Sequence, residues 1–294
     1  MSITRKRDLV RHLLTLFSAP VIVARTLPAH VGHGQPELHQ HLPRFMLRLM
    51  SRYEHLIMRS IDFLATRDWI YRYDPIRRFV EKTADLIMST INGEVLTAGE
   101  AKEMIDSIIK GGYTVAVGTC PCRRARNELS DEVPNNTDMV FGRWAEGYIE
   151  NYPGLYHEVT REEARELIDE FDRLGFLHQV YGFLKKEGVA FVVCNCDQEV
   201  CIPLNAQKLR GFQSFRKGRA LASVDREACL GLEECGVCVS RCPFDARLSG
   251  GPSGAVDTDK CFGCGVCVVS CKGNATSLER KKGAQLAYAR KLVL

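Results

Sequence analysis

The clearest periodic pattern in the chain is helical. Between Leu42 and Leu64, apolar residues recur at steps of three and four, which places them on one face of a helix. The apolar positions are Phe45, Met46, Leu49, Met50, Tyr53, Leu56, Ile57, Ile61 and Leu64. A basic stripe runs alongside them, formed by Arg44, Arg48, Arg52 and Arg59. We interpret residues 1–92 as a helical region with a solvated basic face; docking onto an acidic partner or an anionic membrane surface is the alternative.

Residues 93–218 alternate between helical and strand patterns, which predicts a small α/β unit. Capping boxes at Thr97–Glu100 and Thr160–Glu163 each begin a helix. Three short apolar runs are predicted to be strands, at residues 113–118, 176–181 and 189–193. Residues 219–280 then form a second, smaller unit, and a basic helical tail follows at 281–294.

Two of the predicted strands end in the same cysteine pattern. One leads into Cys120 and Cys122, and the other into Cys194 and Cys196. If the two strands lie side by side, four thiols converge at one sheet edge, where Cys201 is close enough in sequence to join them. Three interpretations stay open for this group: a [4Fe–4S] cluster, a zinc site, or reduced structural or redox-active thiols.

Composition and charge exclude several classes of protein. Hydrophobic residues make up 45% and charged residues 26% of the 294 positions, as in ordinary globular proteins. The longest apolar run, Leu13 to Ala24, is 12 residues, short of the roughly 20 that a membrane helix needs. The net charge is +4, and the positive excess lies in residues 1–80, with 13 basic against 6 acidic residues. Dinucleotide and P-loop motifs are absent, and nothing suggests a nucleic-acid partner.

Four histidines fall within twelve positions ahead of the first helix: His30, His33, His39 and His41. A metal site is one interpretation of such a group. Gly32, Gly34 and Pro36 instead favour an irregular polar loop, which we prefer.

The cysteine content is the unusual feature of the chain. There are 13 cysteines, and eight of them fall between Cys229 and Cys271. An odd number in tight spacings favours metal chemistry in a reducing compartment over a disulfide framework. We therefore expect a cytoplasmic protein, with peripheral membrane contact through the basic N-terminal helices as an alternative.

The second half of this cysteine-rich unit has the spacing of a bacterial [4Fe–4S] motif. Its cysteines are Cys261, Cys264, Cys267 and Cys271, separated by two, two and three residues. Gly263 and Gly265 allow the loop to wrap tightly and leave backbone N–H groups free for the sulfurs. The first half is related to it, because VDREAC ending at Cys229 matches VDTDKC ending at Cys261, 32 residues later.

The eight cysteines and the duplicated lead-in resemble the two-cluster bacterial-type ferredoxin domain over residues 219–280. The resemblance implies one cluster on Cys229, Cys235, Cys238 and Cys271. It implies a second cluster on Cys242, Cys261, Cys264 and Cys267. Two features depart from the family: five residues separate Cys229 from Cys235 instead of two, and Lys272 replaces the usual proline. A pair of zinc sites is the alternative.

The wider region, residues 95–280, is similar to larger bacterial and archaeal iron–sulfur proteins in which an α/β region precedes such a domain. The likeness rests on the motifs CPCR and CNC and implies a third [4Fe–4S] cluster from Cys120, Cys122, Cys194, Cys196 and Cys201. The predicted fold class is therefore α+β: a helical N-terminal region, a small α/β middle unit and a C-terminal bacterial-ferredoxin-like α+β domain.

The function that these observations predict is electron transfer. Two [4Fe–4S] clusters, with a third as an option, would relay single electrons between a protein donor and a protein acceptor, as part of a redox complex. One alternative is an oxidoreductase with a catalytic site at the Cys-x-Cys cysteines, wired by the ferredoxin domain. Another is a sensory module whose clusters control partner binding. The sequence leaves open whether the protein is itself an enzyme.

Overall fold

A computed structural model describes residues 44–89, 91–183 and 189–283. Within these ranges the chain is a mixed α/β protein with ten helices. They are α1 (Arg44–Thr66), α2 (Asp68–Tyr71), α3 (Asp74–Met88), α4 (Ala98–Lys110), α5 (Pro121–Arg126), α6 (Arg143–Asn151), α7 (Arg161–Leu174), α8 (Ile202–Arg210), α9 (Val237–Ser240) and α10 (Val266–Val269). None of these helices combines the length and the apolar character that crossing a bilayer requires. The four-histidine segment and most of the predicted C-terminal tail lie outside the described residues.

Seven strands form a mixed sheet, and two form a separate antiparallel pair. The strands are β1 (Ile91–Leu96), β2 (Val115–Thr119), β3 (Asn136–Phe141), β4 (Tyr156–Glu158), β5 (Leu177–Phe183), β6 (Val189–Cys196), β7 (Phe215–Arg216), β8 (Ala220–Val224) and β9 (Thr276–Arg280). The large sheet has the order β4-β2-β3-β6-β5-β1-β7, and β8 pairs with β9. The sheet therefore begins at Ile91, just before the boundary predicted at residue 92.

The two strands that lead into the Cys-x-Cys motifs are not side by side, so the condition stated for the convergence of their thiols is not met in that form. Strand β3 lies between β2 and β6 and pairs antiparallel with both, in a register that sets Met139 opposite Val117 and Val193. Since β3 runs opposite to each, β2 and β6 run in the same direction. Their ends, with Cys120 and Cys196, therefore still reach the same edge of the sheet.

Both faces of the sheet are covered, because alternate strand residues point to opposite sides. One face packs on α4 and α7; this core contains Val117, Met139, Val193, Ile105 and Phe171. The other face packs on α1 and α6 through Ala116, Val140, Val192, Leu47 and Trp144.

The helix starts behave as the capping pattern predicts. At α4 the Thr97 side chain accepts from the Glu100 N–H at 3.2 Å, and the Glu100 carboxylate accepts from the Thr97 N–H at 2.9 Å. At α7 the Thr160 hydroxyl accepts from the Glu163 N–H.

Helix α1 buries only part of the predicted apolar face: Met50 and Ile61 pack against buried residues, whereas other positions of that face are exposed. Phe45 and Leu49 are 68% and 53% exposed, whereas Leu47 and Ser51 are 2% and 0% exposed. The reason is tertiary: α1 packs against α6, and α6 contacts the residues between the expected apolar positions. The basic stripe is partly used inside the molecule, since Arg48 pairs with Glu150 and Arg59 donates from Nε to the Ala125 carbonyl at 2.8 Å.

The cysteine-rich unit is built on the β8–β9 pair and the two short helices. Helices α9 and α10 begin after Gly236 and Gly265, both in the left-handed region at φ 57° and 86°. An ion pair between Arg219 and Glu100, 2.9 Å long, joins the unit to helix α4 of the α/β unit. Equivalent glycine turns of the internal repeat thus begin the two short helices of this unit.

Candidate metal centres

Two cavities in the cysteine-rich unit are each lined by four cysteines. The inner cavity holds about 350 Å³, counted with the space that opens to solvent, and its cysteines are Cys242, Cys261, Cys264 and Cys267. The outer cavity holds about 380 Å³ on the same basis, and its cysteines are Cys229, Cys235, Cys238 and Cys271. The structure therefore sorts the eight cysteines into the same two sets that the ferredoxin resemblance implies.

The two cavities differ in their access to solvent. In the inner cavity, Cys261, Cys264 and Cys267 are only 6–8% exposed. Burial raises the pKa of the Cys264 thiol and that of the Cys267 thiol. All four cysteines of the outer cavity are only partly buried. The outer cavity is therefore the one that a partner protein can approach more closely.

The five-residue spacing after Cys229 is accommodated without removing Cys229 from the cavity. Leu230, Gly231 and Leu232 join the lining beside it. Gly231 has a φ of 85°, and the Leu232 N–H donates to the Pro252 carbonyl at 3.1 Å. The additional residues thus form part of the cavity wall.

Backbone amides point at cysteine sulfurs in equivalent places of the repeat. The Ala246 N–H donates to Cys242 Sγ at 3.3 Å, and the Ala275 N–H donates to Cys271 Sγ at 3.2 Å. Burial tends to raise the pKa of Cys271, but hydrogen bonds from Thr276 and from backbone amides hold it below its ordinary value. These groups stabilise negative charge on sulfur, as a thiolate-bound cofactor requires.

The arrangement fits a cubane better than a single ion. A structural zinc ion needs four thiolates at about 2.3 Å from one point. Among the described residues, no group of three or more His, Cys, Asp or Glu side chains converges closely enough to hold one metal ion. A [4Fe–4S] cube is wider than an ion and is bound by four cysteines spaced around it, and four cysteines line each of these cavities.

The other five cysteines form a second buried group, which we call the five-thiol group. Cys120 follows β2 and precedes α5, which contains Cys122. Cys194 and Cys196 lie on β6, and Cys201 immediately precedes α8. The thiols are close enough for each to shift the pKa of the next, in the order Cys120, Cys122, Cys201, Cys196, Cys194. The expected convergence at one sheet edge is thus present, although β3 separates the strands.

Charge is unevenly shared within the five-thiol group. Hydrogen bonds from neighbouring thiols lower the pKa of Cys120 and that of Cys201, while those of Cys122 and Cys196 are raised. Gln179 adds a further donor, from Nε2 to Cys196 Sγ at 2.6 Å. Negative charge in this group is therefore favoured on Cys120 and Cys201 over Cys122 and Cys196.

Sequence reasoning missed the acid that supports this group. Asp138, 2% exposed on β3, accepts from the Cys194 thiol at 3.2 Å and from the Tyr156 hydroxyl at 2.8 Å. Burial, reinforced by the charge of Cys120, raises the pKa of Asp138 to about 7. The sequence offered one clue, a single acid directly before the apolar residues Met139 to Phe141. It did not reveal that this segment is a strand paired with β6. Cys194 is thereby held by a protein partner outside the thiol chain.

The five-thiol group and the inner cavity share one apolar cluster. Cys196, Cys201 and Cys264 pack into it together, and the stacked rings of Phe244 and Phe262, 3.9 Å apart, adjoin it. No protein-family model matches the chain, and no curated protein matches it significantly. Functional inference therefore rests on the residues and their geometry.

Proposed function

We propose that this protein is an iron–sulfur electron carrier that passes single electrons between protein partners. The observation that carries the proposal is the sorting of eight cysteines into two sets of four, each around its own cavity. Each set combines cysteines from both halves of the repeat, which is the ligand exchange that two-cluster ferredoxins show.

The residues present fit two [4Fe–4S] clusters. Cys242, Cys261, Cys264 and Cys267 would hold one, and Cys229, Cys235, Cys238 and Cys271 the other. Such clusters supply reversible one-electron chemistry when bound. The protein's own contribution is to bury three of the four cysteines of the inner cavity, to donate amide hydrogen bonds to Cys242 and Cys271, and to leave the cysteines of the outer cavity partly exposed.

The outer cavity is the proposed contact point for a redox partner. Around it, Leu230 is 49% exposed, and the additional loop carries Glu233 and Glu234. Bound clusters would add negative charge to this end of the molecule. A partner with a basic patch around an apolar centre would therefore be steered to it.

Reductive titration tests the proposal directly. Anaerobically purified protein should take up about two electrons per chain if two clusters are present, with a paramagnetic signal that grows in two steps. Cys238→Ala, in the outer cavity, and Cys267→Ala, in the inner cavity, should each remove one step and spare the other. Protein that takes up no electrons, or a single variant that removes both steps without unfolding, would contradict the assignment.

A second candidate function is an oxidoreductase whose reaction occurs at the five-thiol group. The apolar cluster that Cys196 and Cys201 share with Cys264 favours it, because it places this group beside the inner cavity. A third [4Fe–4S] cluster would raise the iron content from about 8 to about 12 per chain.

The five-thiol group also indicates which cysteine a four-ligand centre would spare. Since Cys194 already donates to Asp138, Cys194→Ala should keep any metal bound there, and Cys201→Ala should lose it. If both variants contain as much metal as the wild type, and neither variant changes the turnover of a substrate, a metal centre at the five-thiol group is excluded.

A further inference from the structure

A buried arginine separates the two four-cysteine cavities. Arg247 is 5% exposed, and it belongs to the lining of both the inner and the outer cavity. Its guanidinium also lies close enough to Cys267, in the inner cavity, to oppose the rise in the pKa of that thiol. A single guanidinium group is therefore in reach of both candidate clusters.

The other partners of Arg247 carry no charge. Its Nη1 donates to the Gly254 carbonyl at 2.7 Å, and its Nη2 donates to Thr276 Oγ1 at 3.2 Å. Among the ion pairs formed by the described residues, none includes Arg247. An isolated buried cation is costly, so this position calls for negative charge from another source.

The repeat shows that the turn itself does not require a cation here. Arg247 lies five residues after Cys242, and the equivalent position, five residues after Cys271, is Thr276. Both turns keep the same amide-to-sulfur hydrogen bond one residue earlier, at Ala246 and Ala275. The backbone arrangement thus forms with an arginine or with a neutral residue.

We propose that Arg247 is an electrostatic positioning residue that binds the negative charge of both cavities at once and sets the reduction potential of both clusters. This inference rests on the proposed function. A cation favours the more negative, reduced state of each cluster and so raises its potential, as hydrogen bonds and local charge do at such centres generally. Arg247 also favours negative charge on the thiols themselves. Burial raises the pKa of Cys238 and that of Cys267, and the guanidinium opposes the rise at both.

The test compares four variants by iron content and by potentials from EPR-monitored titration. Arg247→Gln removes the charge and Arg247→Lys keeps it. Thr276→Val leaves the charge but removes the hydroxyl that accepts from Arg247 and interacts with Cys271. Lys272→Gln removes an exposed charge next to Cys271 and serves as the matched surface control. We expect Arg247→Gln to make one-electron reduction of both clusters at least tenfold less favourable, which is about 59 mV. Arg247→Lys and Thr276→Val should each change the equilibrium of one-electron reduction less than threefold. Lys272→Gln should change the potential of the outer cluster alone.

Each result decides the question. If Arg247→Gln is fully loaded and shifts neither potential, or only one, the proposal is overturned. If Arg247→Gln binds no iron, the iron content of Arg247→Lys decides. An Arg247→Lys protein with iron supports the requirement for positive charge, and one without iron overturns it. Wild-type protein without iron would instead overturn the proposed function itself, so the two failures are distinguishable.

Discussion

Replacing Gly263 by alanine tests how the inner cavity is formed. Gly263 lies between Cys261 and Cys264, and its φ is 72°. A Cβ at this position would come within 2.6 Å of the carbonyl carbon of Ala220 on β8, and closer still to its oxygen. Side-chain Cβ atoms essentially never approach other atoms within 3.0 Å. The loop therefore has to retreat from β8 by about 0.4 Å to clear the carbonyl carbon, and by more to clear its oxygen. The obstacle is backbone, which cannot rotate away.

The cost has two parts that a control variant separates. The left-handed backbone costs an alanine about 1–2 kcal/mol. Gly211 has the same φ of 72°, and a Cβ there would meet nothing within 4 Å, so Gly211→Ala should show this part alone. At Gly263 the steric overlap adds about 1–3 kcal/mol, as overpacking usually does. The expected difference between the two variants is the effect of the close approach.

The assay is iron per chain after anaerobic purification, with the midpoint of thermal unfolding measured in parallel. Gly263→Ala should lose about four iron atoms relative to wild type, because the loop that supplies Cys261 and Cys264 is displaced. Gly211→Ala should keep its full iron content. A Gly263→Ala protein with wild-type iron and the same unfolding midpoint as Gly211→Ala would refute the reasoning.

Two further predictions concern the α/β unit. Burial, together with the charge of Asp138, raises the pKa of Glu54 from 4.5 to about 8, so its contribution to stability is complete below about pH 4.5 and is lost as the pH rises through about 8. The unfolding midpoint should therefore fall across this range, and Glu54→Gln should flatten the fall; parallel profiles would contradict the assignment. Arg123, whose side chain is 4% exposed, pairs with Asp197 at 2.6 Å, so Asp197→Ala should cost about 3–5 kcal/mol. Asp169→Ala, at an exposed pair, should cost at most about 1 kcal/mol by chemical denaturation, and equal losses would show that the buried pair has no special role.

Local signals in the sequence were enough to locate two helices and three strands of the α/β unit, namely α4, α7, β2, β5 and β6. The Thr97 capping box depends only on residues three apart, and both of its hydrogen bonds are present. The apolar run beginning at Val189 forms β6 and extends to Cys196. Such features form from neighbouring residues and need no knowledge of the tertiary fold.

Features that depend on distant pairing were not predictable in the same way. Strand β3 contains Asn136, Thr137 and Asp138 and lacks a long apolar run, so its insertion between β2 and β6 was missed. The covered side of α1 was predicted only in part, because packing against α6 determines which residues of α1 are covered. The role of Arg247 likewise requires the two halves of the repeat to be seen together in space.

Metal and sulfide analysis of the wild-type protein tests the central claim most directly. After oxygen-free isolation, the account predicts about 8 iron atoms and a matching amount of acid-labile sulfide per chain, or about 12 of each if the five-thiol group also binds a cluster. The reduced protein should then give the EPR signal of interacting cubanes. Protein that contains stoichiometric zinc and almost no iron or sulfide would contradict the account.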